Sequence, residues 1–289
     1  MKYPGIDKFI WYINERWLIH EKRCKNVPRP WTQNATLRDY RFCEVRREDD
    51  RVTRWLHQHW LQPHVDDPDL WHAMCIARVF NLPSTLMGVG WPEPWSRHGK
   101  RVMRTARMLK ASGVPIYTSA YNTRCGPDKK GVHEPLLDRH ERIFNAVWRN
   151  RKFIAPRADD ALRAFYDRLM TQFGFGTFMA GQVVADMKWG VTLRNASDWL
   201  TFAVSGYGSS RGLCRVCGLE PAIKWRGGEA AWHAIMLDVR KIVLPSLPKP
   251  LRTLDAQNIE HALCEYDKIC RVDDGRKLTR PFRPSKEQY

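Results

Sequence analysis

The sequence lacks several features that would place it in a class at once. It contains no apolar run of 18 residues and no signal-peptide pattern at its N-terminus. The spacing GxxxxGK[ST] of a phosphate-binding P-loop is also absent, which argues against an ATP site of that type. We therefore expect a soluble, cytosolic protein without a membrane partner.

The cysteines of this chain are not spaced as a disulfide framework. The eight cysteines are scattered over 289 residues, unlike those of a small disulfide-rich secreted protein. Cys214 and Cys217 form a CxxC motif without a second pair at zinc-ribbon spacing. We predict thiols that are not cross-linked and no dedicated metal site; structural zinc at this motif is the alternative.

Acidic residues are few relative to basic ones. The chain has 48 Lys and Arg against 31 Asp and Glu, a formal net charge of +17. Such an excess favours a polyanionic partner, and nucleic acid is the leading candidate. The 13 tryptophans offer faces that can stack on unpaired bases, although most Trp residues in a chain of this size belong to the core.

Helical periodicity dominates the chain. It predicts helices over about 6–24, 69–82, 97–111, 135–150, 158–172, 228–243 and 255–271. The stretch 114–121 is the only convincing candidate for a strand, and 122–134 is predicted to be a polar loop. The fold class is therefore mainly α, with few or no strands. It is organised either as one domain over 1–289 or as two packed lobes over about 1–150 and 151–289.

A glycine-containing turn links two of the predicted helices. Gly174 and Gly176 stand between amphipathic runs, at the spacing of a helix-hairpin-helix. In such a motif the N–H groups at the start of the second helix, here near Thr177, face a DNA phosphate. The alternative is an ordinary αα-hairpin in a helical core.

Arginines are concentrated between residues 38 and 54. Arg47, Arg51 and Arg54 have the spacing of one helix face, and Arg41 precedes them among aromatic residues. Clustered, oriented arginines suit bidentate capture of phosphate. A solvated helix face with intrahelical ion pairs explains the pattern equally well.

Two further stretches are candidates for a site. The segment with Gly206, Gly208, Ser209 and Arg211 precedes an apolar run, so its N–H groups and arginine are placed to bind an oxyanion. An ordinary Gly-rich connection is the alternative. The last helix carries Glu265, Asp267 and Lys268 close together; a buried ion pair that holds this helix in place is the structural alternative.

Three motifs together resemble one family. They are Pro30-Trp31-Thr32 with Tyr40-Arg41-Phe42 and Val45-x-Arg47-Glu48-x-Asp50-Arg51; the Gly174/Gly176 hairpin leading to Asp186 and the 205–213 loop; and Ile259-Glu260-x-x-Leu263-Cys264-Glu265-Tyr266-Asp267-Lys268. Their order resembles the bacteriophage α-glutamyl/putrescinyl-thymine pyrophosphorylases, and the helical domain of 5-hydroxymethyluracil DNA kinases is similar. The sequence departs from that pattern at Cys43-Glu44, where Thr-Asn is frequent, and at Ile269-Cys270, where an aromatic residue often follows Asp-Lys.

The resemblance implies a helix-hairpin-helix, DNA-glycosylase-like fold and a DNA modification. In that family an amino acid or polyamine displaces pyrophosphate from a pyrophosphorylated 5-hydroxymethyluracil in double-stranded phage DNA. The implied location is the cytoplasm of the infected bacterial host. The absence of a P-loop argues against the kinase branch.

The implied reaction assigns roles to the candidate residues. Arg41, Arg47, Arg51, Arg211 and the Gly206–Ser209 loop would bind pyrophosphate. Asp186, Glu265 or Asp267 would be the base for the amine, with Lys268 beside it. Gly174, Gly176, Thr177 and Arg54 would contact DNA. Whether a Mg²⁺ ion accompanies the diphosphate is left open, because the sequence shows no cluster of carboxylates dedicated to binding it.

Two other classes stay open at this stage. A DNA glycosylase would use the same hairpin and an Asp to cleave the N-glycosidic bond. A non-catalytic DNA-binding subunit of a base-modification system would use the arginines only to follow phosphates.

Overall fold

The computed structural model describes residues 3–118, 134–278 and 281–282. This part of the chain is mainly helical and contains no β-strand, as the periodicity predicts; Tyr40 and Pro281 form an isolated antiparallel bridge. Residues 114–118 of the strand candidate are not a strand, and its remainder and almost all of the predicted polar loop fall outside the described residues.

The helices follow the sequence periodicity closely. Their bounds are α1 Ile6–Cys24, α2 Ala35–Asp39, α3 Arg51–Leu56, α4 Leu70–Phe80, α5 Pro83–Val89, α6 Trp95–Ala111, α7 Leu136–Arg149, α8 Arg151–Ile154, α9 Leu162–Met170, α10 Thr177–Met187, α11 Tyr207–Val216, α12 Gly228–Val243 and α13 Ala256–Asp273. Short 3₁₀ turns cover Arg47–Asp49, Gln62–His64, Leu244–Ser246 and Lys249–Leu251, and His57–Leu61 is a π-helical turn.

The arginine-rich segment differs from its predicted form. Arg47 begins a 3₁₀ turn, Asp50 then has an extended backbone with ψ of 131°, and α3 starts only at Arg51. Arg47 therefore does not share a helix with Arg51 and Arg54, and the prediction of one face for all three is wrong. Asp50 interrupts the helix because its own side chain is used in a tertiary contact described below.

The chain divides into two units that do not follow chain order. The first unit is Met1–Arg51 together with Leu200–Tyr289, and the second is Val52–Trp199. The N-terminal helix α1 thus belongs with α11, α12 and α13. Chain order suggested a lobe boundary near residue 150, a position that lies inside the second unit.

The first unit has a core of aromatic and aliphatic side chains from α1, α12 and α13. Phe9 and Tyr12 of α1 lie 5.2 and 5.9 Å, centroid to centroid, from the ring of Tyr266 in α13. Trp232 of α12 is fully buried in the same cluster. Burying aromatic rings of this size is the main favourable contribution to such a core.

Glycine allows α11 to cross α13 at close range. A Cβ added to Gly212 would lie 2.1 Å from the Leu263 carbonyl oxygen, a backbone atom that cannot move aside without shifting α13. The crossing brings the N-terminal turn of α11 against the middle of α13, which is where the candidate site is formed.

The Gly212→Ala variant is expected to lose stability because its methyl group would force the two helices apart. Overpacking of this kind costs about 1–3 kcal/mol. Thermal denaturation followed by circular dichroism measures it. Gly176→Ala is the matched control, because a Cβ there meets no atom within 4 Å. Its stability should fall by less than about 1 kcal/mol, the effect of changing the residue that caps α10. Equal losses in the two variants would contradict the close crossing.

The second unit is built around α4, all eleven residues of which are buried, including His72 and Arg78. Asn81 ends the helix in a left-handed conformation with φ of 48°, and Pro83 then begins α5. The predicted helix over 69–82 therefore ends at Phe80, and Pro83 stands in the first turn of the next helix, where its missing N–H costs nothing.

His140 gives the second unit a dependence on pH. Burial, together with the charge of Arg139, lowers the pKa of His140 to about 4. The unfolded chain, with a pKa near 6.5, binds the proton more readily, so stability falls as the pH drops from about 6.5 to 4, by about 3 kcal/mol. His140→Asn is expected to flatten this slope in urea titrations across that range. An unchanged slope, or an equal effect from the exposed control His59→Asn, would contradict the assignment.

The predicted hairpin is present in the second unit as α9, a turn and α10. Gly174 has φ of +89°, and a Cβ on it would lie 2.4 Å from Ile143 Cδ1, so the turn requires glycine there. Gly176 has φ of −91°, which any residue adopts, and it caps α10 with open space around it. One glycine therefore makes the turn, and the other leaves the start of α10 accessible.

Among the residues that the structure describes, no helix combines the length and the apolarity needed to cross a membrane.

Candidate functional site

The candidate site lies in the first unit, on one face of α13. Five polar residues follow each other along this face at helical spacing, so they line a single stripe: Glu260, His261, Cys264, Glu265 and Lys268. The start of α11 and the chain segment 42–50 pack against this stripe.

The start of α11 is fitted closely to α13. Gly206 caps the helix, and its N–H donates to Ser209 Oγ at 2.8 Å. A Cβ on Gly208 would lie 2.3 Å from Cys264 Sγ, so glycine is required for this approach. The helix begins against the polar stripe, with its unpaired N–H groups at that end.

Segment 42–50 is held by a series of backbone contacts. The N–H of Cys43 donates to Glu265 Oε2 at 3.0 Å, and its carbonyl accepts from Arg16 at 3.0 Å. The N–H of Glu44 donates to Asp50 Oδ1 at 3.0 Å. The N–H of Arg47 donates to Asn258 Oδ1 at 2.8 Å. These bonds tie both ends of the segment and fix the side chains that it presents to α13.

Glu265 is buried at 4% exposure and pairs with Lys268, whose Nζ lies 2.5 Å from Oε1. Burial on its own would raise the pKa of Glu265, but the charges of Lys268 and His261 outweigh it and lower the pKa. Burial works against the charge on Lys268 too, yet Glu265 raises the pKa of that amine. The pair is therefore ionised, and the side chain of Lys268 remains partly exposed.

Glu260 lies in a different electrostatic environment on the same stripe. Burial raises the pKa of its carboxyl, and a hydrogen bond from Ser209 and the positive charge of Arg47 only partly offset this. Arg47 is itself buried, at 9% exposure. Two carboxyl groups with pKa values shifted in opposite directions thus stand near each other on α13, an arrangement typical of acid and base pairs.

His261 faces segment 42–50. One of its ring nitrogens, Cys43 Sγ and a carboxylate oxygen of Asp50 all lie within 4.8 Å of one another. The Nε2 atom is 3.5 Å from Asp50 Oδ2. Burial raises the pKa of the Cys43 thiol. Burial alone would lower the pKa of His261, but the neighbouring Cys43 and Asp50 side chains raise it well above its usual range.

Asp267 and Arg211 form a second cluster on the side of α13 next to this stripe. Asp267 is fully buried and is surrounded by three guanidinium groups, with Nε atoms of Arg211, Arg215 and Arg271 at 2.8, 3.1 and 3.3 Å from its oxygens. Arg215 also pairs with Asp274 at 2.7 Å, so three guanidinium groups are balanced by two carboxylates here. Arg211 and Arg215 line an open cavity of about 650 Å³ with Lys8 and Arg276.

The other predicted arginines are more dispersed. Arg41 is exposed, Arg51 is half-buried at the start of α3, and Arg54 is exposed on α3 in the second unit. The structure brings Arg47, Gly206, Gly208 and Ser209 together next to Glu260 and Cys264. Arg211 lies on the same helix as the loop but is engaged by Asp267.

Asp186 lies in the second unit, on α10. Its carboxylate is fully buried and takes two hydrogen bonds from Arg78, at 2.5 and 2.6 Å. Arg78 also donates to Thr53 and Asn81, and His57 Nε2 lies 3.8 Å from Asp186 Oδ1. Bidentate pairing of this kind stabilises the packing of α4 against α10.

The predicted DNA-contacting residues of the second unit form an exposed edge. Thr177 and Phe178 at the start of α10 are exposed, as is Phe173 before the turn. The guanidinium groups of Arg139 and Arg142 lie 5.1 and 4.2 Å from the Phe173 ring centroid. A helix start and two arginines thus stand side by side, which is favourable for an anion.

Sequence reasoning missed Cys43, Asp50, Glu260 and His261 as members of one cluster. The helical spacing of 260, 261, 264, 265 and 268 was a usable signal, because it already places these side chains on one face. No local signal connects His261 with Cys43 and Asp50, which are more than 200 positions away along the chain.

Comparison with known proteins identifies the relatives of this chain. Residues 4–277 match the model of the family described as 5-hmdU DNA kinase, helical domain. A 5-hmdU DNA kinase of Bacillus phage SP10 is 26% identical over 145 residues, which make up 48% of this chain and 22% of that protein. The match thus spans about a fifth of the relative's length. No solved structure matches the chain.

Proposed function

We propose a function from the premise that this chain belongs to the family of the 5-hmdU DNA kinase helical domain. In this proposal the chain modifies a thymine-derived base of phage DNA in the cytoplasm of an infected bacterium. It transfers an amine, either an amino acid or a polyamine, onto 5-pyrophosphoryloxymethyl-uracil and releases pyrophosphate. More specifically, the proposed activity is that of the α-glutamyl/putrescinyl-thymine pyrophosphorylases.

The observation that carries the proposal is the polar stripe of α13. It combines an ionised, buried carboxylate at Glu265 with the Lys268 amine, and it faces the N–H groups at the start of α11 and the buried Arg47. A substitution that releases a highly charged diphosphate needs positive charge and N–H donors at the leaving group and an acceptor for one proton. The stripe supplies all of these within one unit.

In the proposed reaction, one bond forms and one bond breaks at the exocyclic methylene carbon of the base. The neutral amine attacks the exocyclic methylene carbon, a C–N bond forms, and the C–O bond to the diphosphate breaks. Glu265 accepts the proton that the nitrogen loses, and Arg47, Lys268 and the Gly206–Ser209 loop bind the departing pyrophosphate. The base must leave the helical stack to expose its methylene group, as in other enzymes that act on bases.

DNA binding is assigned to the charge of the chain and to the hairpin. The net charge of +17 favours a polyanion. In the second unit, Gly174, Gly176 and Thr177 open α10 towards solvent next to Arg139 and Arg142, and Arg54 is exposed on α3. These groups would contact phosphates without reading sequence.

A second candidate function is favoured by the family itself. The relative is named as a kinase, whereas this chain has no GxxxxGK[ST] motif. In this alternative the chain binds hydroxymethyluracil-containing DNA and presents the base to a separate enzyme, without transferring a group. Glu265 and Lys268 would then serve only to fix α13 against segment 42–50.

Nucleoside mass analysis decides between these functions. The full chain is incubated with DNA carrying 5-pyrophosphoryloxymethyl-uracil and a panel of amino acids and polyamines, and the DNA is digested. The proposal expects a nucleoside whose mass has lost the diphosphate and gained one amine, with release of pyrophosphate. Pyrophosphorylated DNA without amine is the control.

The other outcomes are equally specific. Free base and an abasic site would show a glycosylase. DNA binding that prefers the modified base, with no mass change for any amine, would support the presenting role and overturn the transferase.

A further inference from the structure

We infer that Cys43, Asp50 and His261 bind a transition-metal ion, with Zn²⁺ as the preferred ion. This goes beyond the proposed function, since neither the amine transfer nor the family relation calls for a metal. The sequence predicts no dedicated metal site, because the CxxC motif has no second pair, and His261 lies more than 200 positions from Cys43 and Asp50. The inference rests on their geometry, their supporting hydrogen bonds and their donor chemistry.

The three donor atoms lie close enough together to surround one ion. A ring nitrogen of His261, Cys43 Sγ and an Asp50 oxygen all lie within 4.8 Å of one another, and His261 Nε2 is 3.5 Å from Asp50 Oδ2. At metal–ligand distances of about 2.0–2.3 Å, two ligands of a tetrahedral ion lie roughly 3.5 Å apart. By contrast, a hydrogen bond from an N–H to a carboxylate is normally about 2.9 Å long.

His261 supplies an independent observation. Its Nε2 atom is buried and makes no hydrogen bond of good geometry, and the facing Asp50 Oδ2 is 3.5 Å away. A buried polar atom without a partner costs about 1–3 kcal/mol, so such atoms in native proteins are usually satisfied by an ion or a water. This atom is directed at Asp50, next to Cys43.

The two ligands from segment 42–50 are already oriented by the protein. Asp50 uses Oδ1 to accept the N–H of Glu44 at 3.0 Å, so its Oδ2 atom is directed to His261. Cys43 is fixed on both sides, through its N–H to Glu265 and through its carbonyl to Arg16. Hydrogen bonds of this kind hold the metal ligands in position and raise metal affinity.

The donor set selects the type of metal. One thiolate sulfur, one imidazole nitrogen and one carboxylate oxygen are ligands that Zn²⁺ accepts together, whereas Mg²⁺ and Ca²⁺ require oxygen ligands. Three protein ligands leave the fourth tetrahedral position open. The side chains of His261 and Asp50 are 21% and 26% exposed, although the His261 Nε2 atom itself is buried. A role for it in binding a diphosphate oxygen would rest on the proposed function.

A Cys-His-Asp nucleophile triad is the competing interpretation of the same residues. In such a triad the two ring nitrogens have different partners, one the nucleophile and one the carboxylate. Here one ring nitrogen of His261 lies within 4.8 Å of both Cys43 Sγ and an Asp50 oxygen. This arrangement is compatible with three ligands around one ion, and metal binding distinguishes the two interpretations.

Metal binding by the full chain tests the inference directly. Protein freed of metal with a chelator is titrated with Co²⁺, and the thiolate-to-cobalt charge-transfer absorbance is recorded. Zinc content after gel filtration is measured in parallel. We expect about one equivalent per chain and a higher melting temperature with Zn²⁺ than without it. Cys43→Ser is expected to abolish the absorbance band. His261→Gln and Asp50→Asn are expected to weaken binding at least about 100-fold, more than typical second-shell changes do.

The controls are other cysteines of the first unit. Cys24→Ser, at the exposed end of α1, and Cys217→Ser, in the CxxC motif, should keep both the band and the affinity. Circular dichroism confirms that each variant is folded; should Cys43→Ser not fold, the loss of affinity in Asp50→Asn, which conserves shape, decides. Absence of bound metal in the wild-type protein would overturn the inference. So would a metal that survives Cys43→Ser and is lost in Cys217→Ser.

Discussion

The Asp186→Asn variant is expected to lose about 3–5 kcal/mol of stability, which lowers the melting temperature by roughly 10 °C. The reason is that its carboxylate is the buried partner of Arg78, a guanidinium group in a helix with no exposed residue. Removing the negative charge leaves that positive charge in a medium of low dielectric constant. Its hydrogen bonds to Thr53 and Asn81 are to neutral groups and do not replace the charge.

Controls separate charge from packing in this experiment. Asp167→Asn removes an exposed carboxylate that pairs with Arg163 one helical turn away, and should cost less than about 0.5 kcal/mol. The double variant Arg78→Met, Asp186→Leu removes both charges and should be considerably more stable than either single variant. Chemical denaturation monitored by fluorescence gives the free energy of unfolding of the wild-type protein and of each variant.

The same variant tests whether Asp186 is the base of the reaction. If Asp186→Asn kept wild-type stability and lost amine transfer or base release, the carboxylate would have a catalytic role and the structural assignment would fail. We expect the opposite order: stability falls, and any transfer activity of the protein that remains folded is retained.

Glu265→Gln is expected to reduce the rate of amine transfer by a factor of about 10²–10⁴, with DNA affinity almost unchanged. Glutamine keeps the shape of the side chain and can still accept the N–H of Cys43, but it cannot take up a proton. The measurement is the rate of mass conversion of pyrophosphorylated DNA under single-turnover conditions, with binding followed by fluorescence anisotropy.

The same carboxylate-to-amide change at a residue of the second unit provides the comparison. Glu134→Gln removes a carboxylate that pairs with Arg142 on the surface of the second unit, and should leave the transfer rate unchanged. Lys268→Met should slow transfer as well, because it removes positive charge at the leaving group and the partner of Glu265. A Glu265→Gln protein that is folded and transfers at the wild-type rate would remove Glu265 from the reaction.

Local pattern was sufficient for most of the secondary structure. Helices α1 and α12 have the predicted bounds of 6–24 and 228–243, because their apolar residues recur every three to four positions and nothing interrupts them. The hairpin was also predictable, since Gly174 occupies a left-handed position that other residues avoid. The prediction failed where a tertiary contact overrides local preference: Asp50 leaves the helical conformation and contacts α13.

The candidate site was predictable only in part. The spacing along α13 placed Glu265 and Lys268 close together, and the segment with Gly206 and Gly208 was predicted to present N–H groups before an apolar run. That Gly208 allows the close approach of Cys264 is seen only in the structure. The convergence of segment 42–50, α11 and α13 could not be derived from the sequence. The contacts between α11 and α13 join residues 51–56 positions apart, and those between segment 42–50 and α13 join residues more than 200 positions apart.

Chemical identity was visible in the sequence, whereas environment was decided by the tertiary structure. Asp186, Glu265 and Asp267 were three equivalent carboxylates along the chain. Folding buries the first against Arg78, leaves the second beside Lys268 at a partly open face, and surrounds the third with three arginines. The physical reason is that burial and neighbouring charge, which set the properties of an ionisable group, are determined by residues distant in the chain.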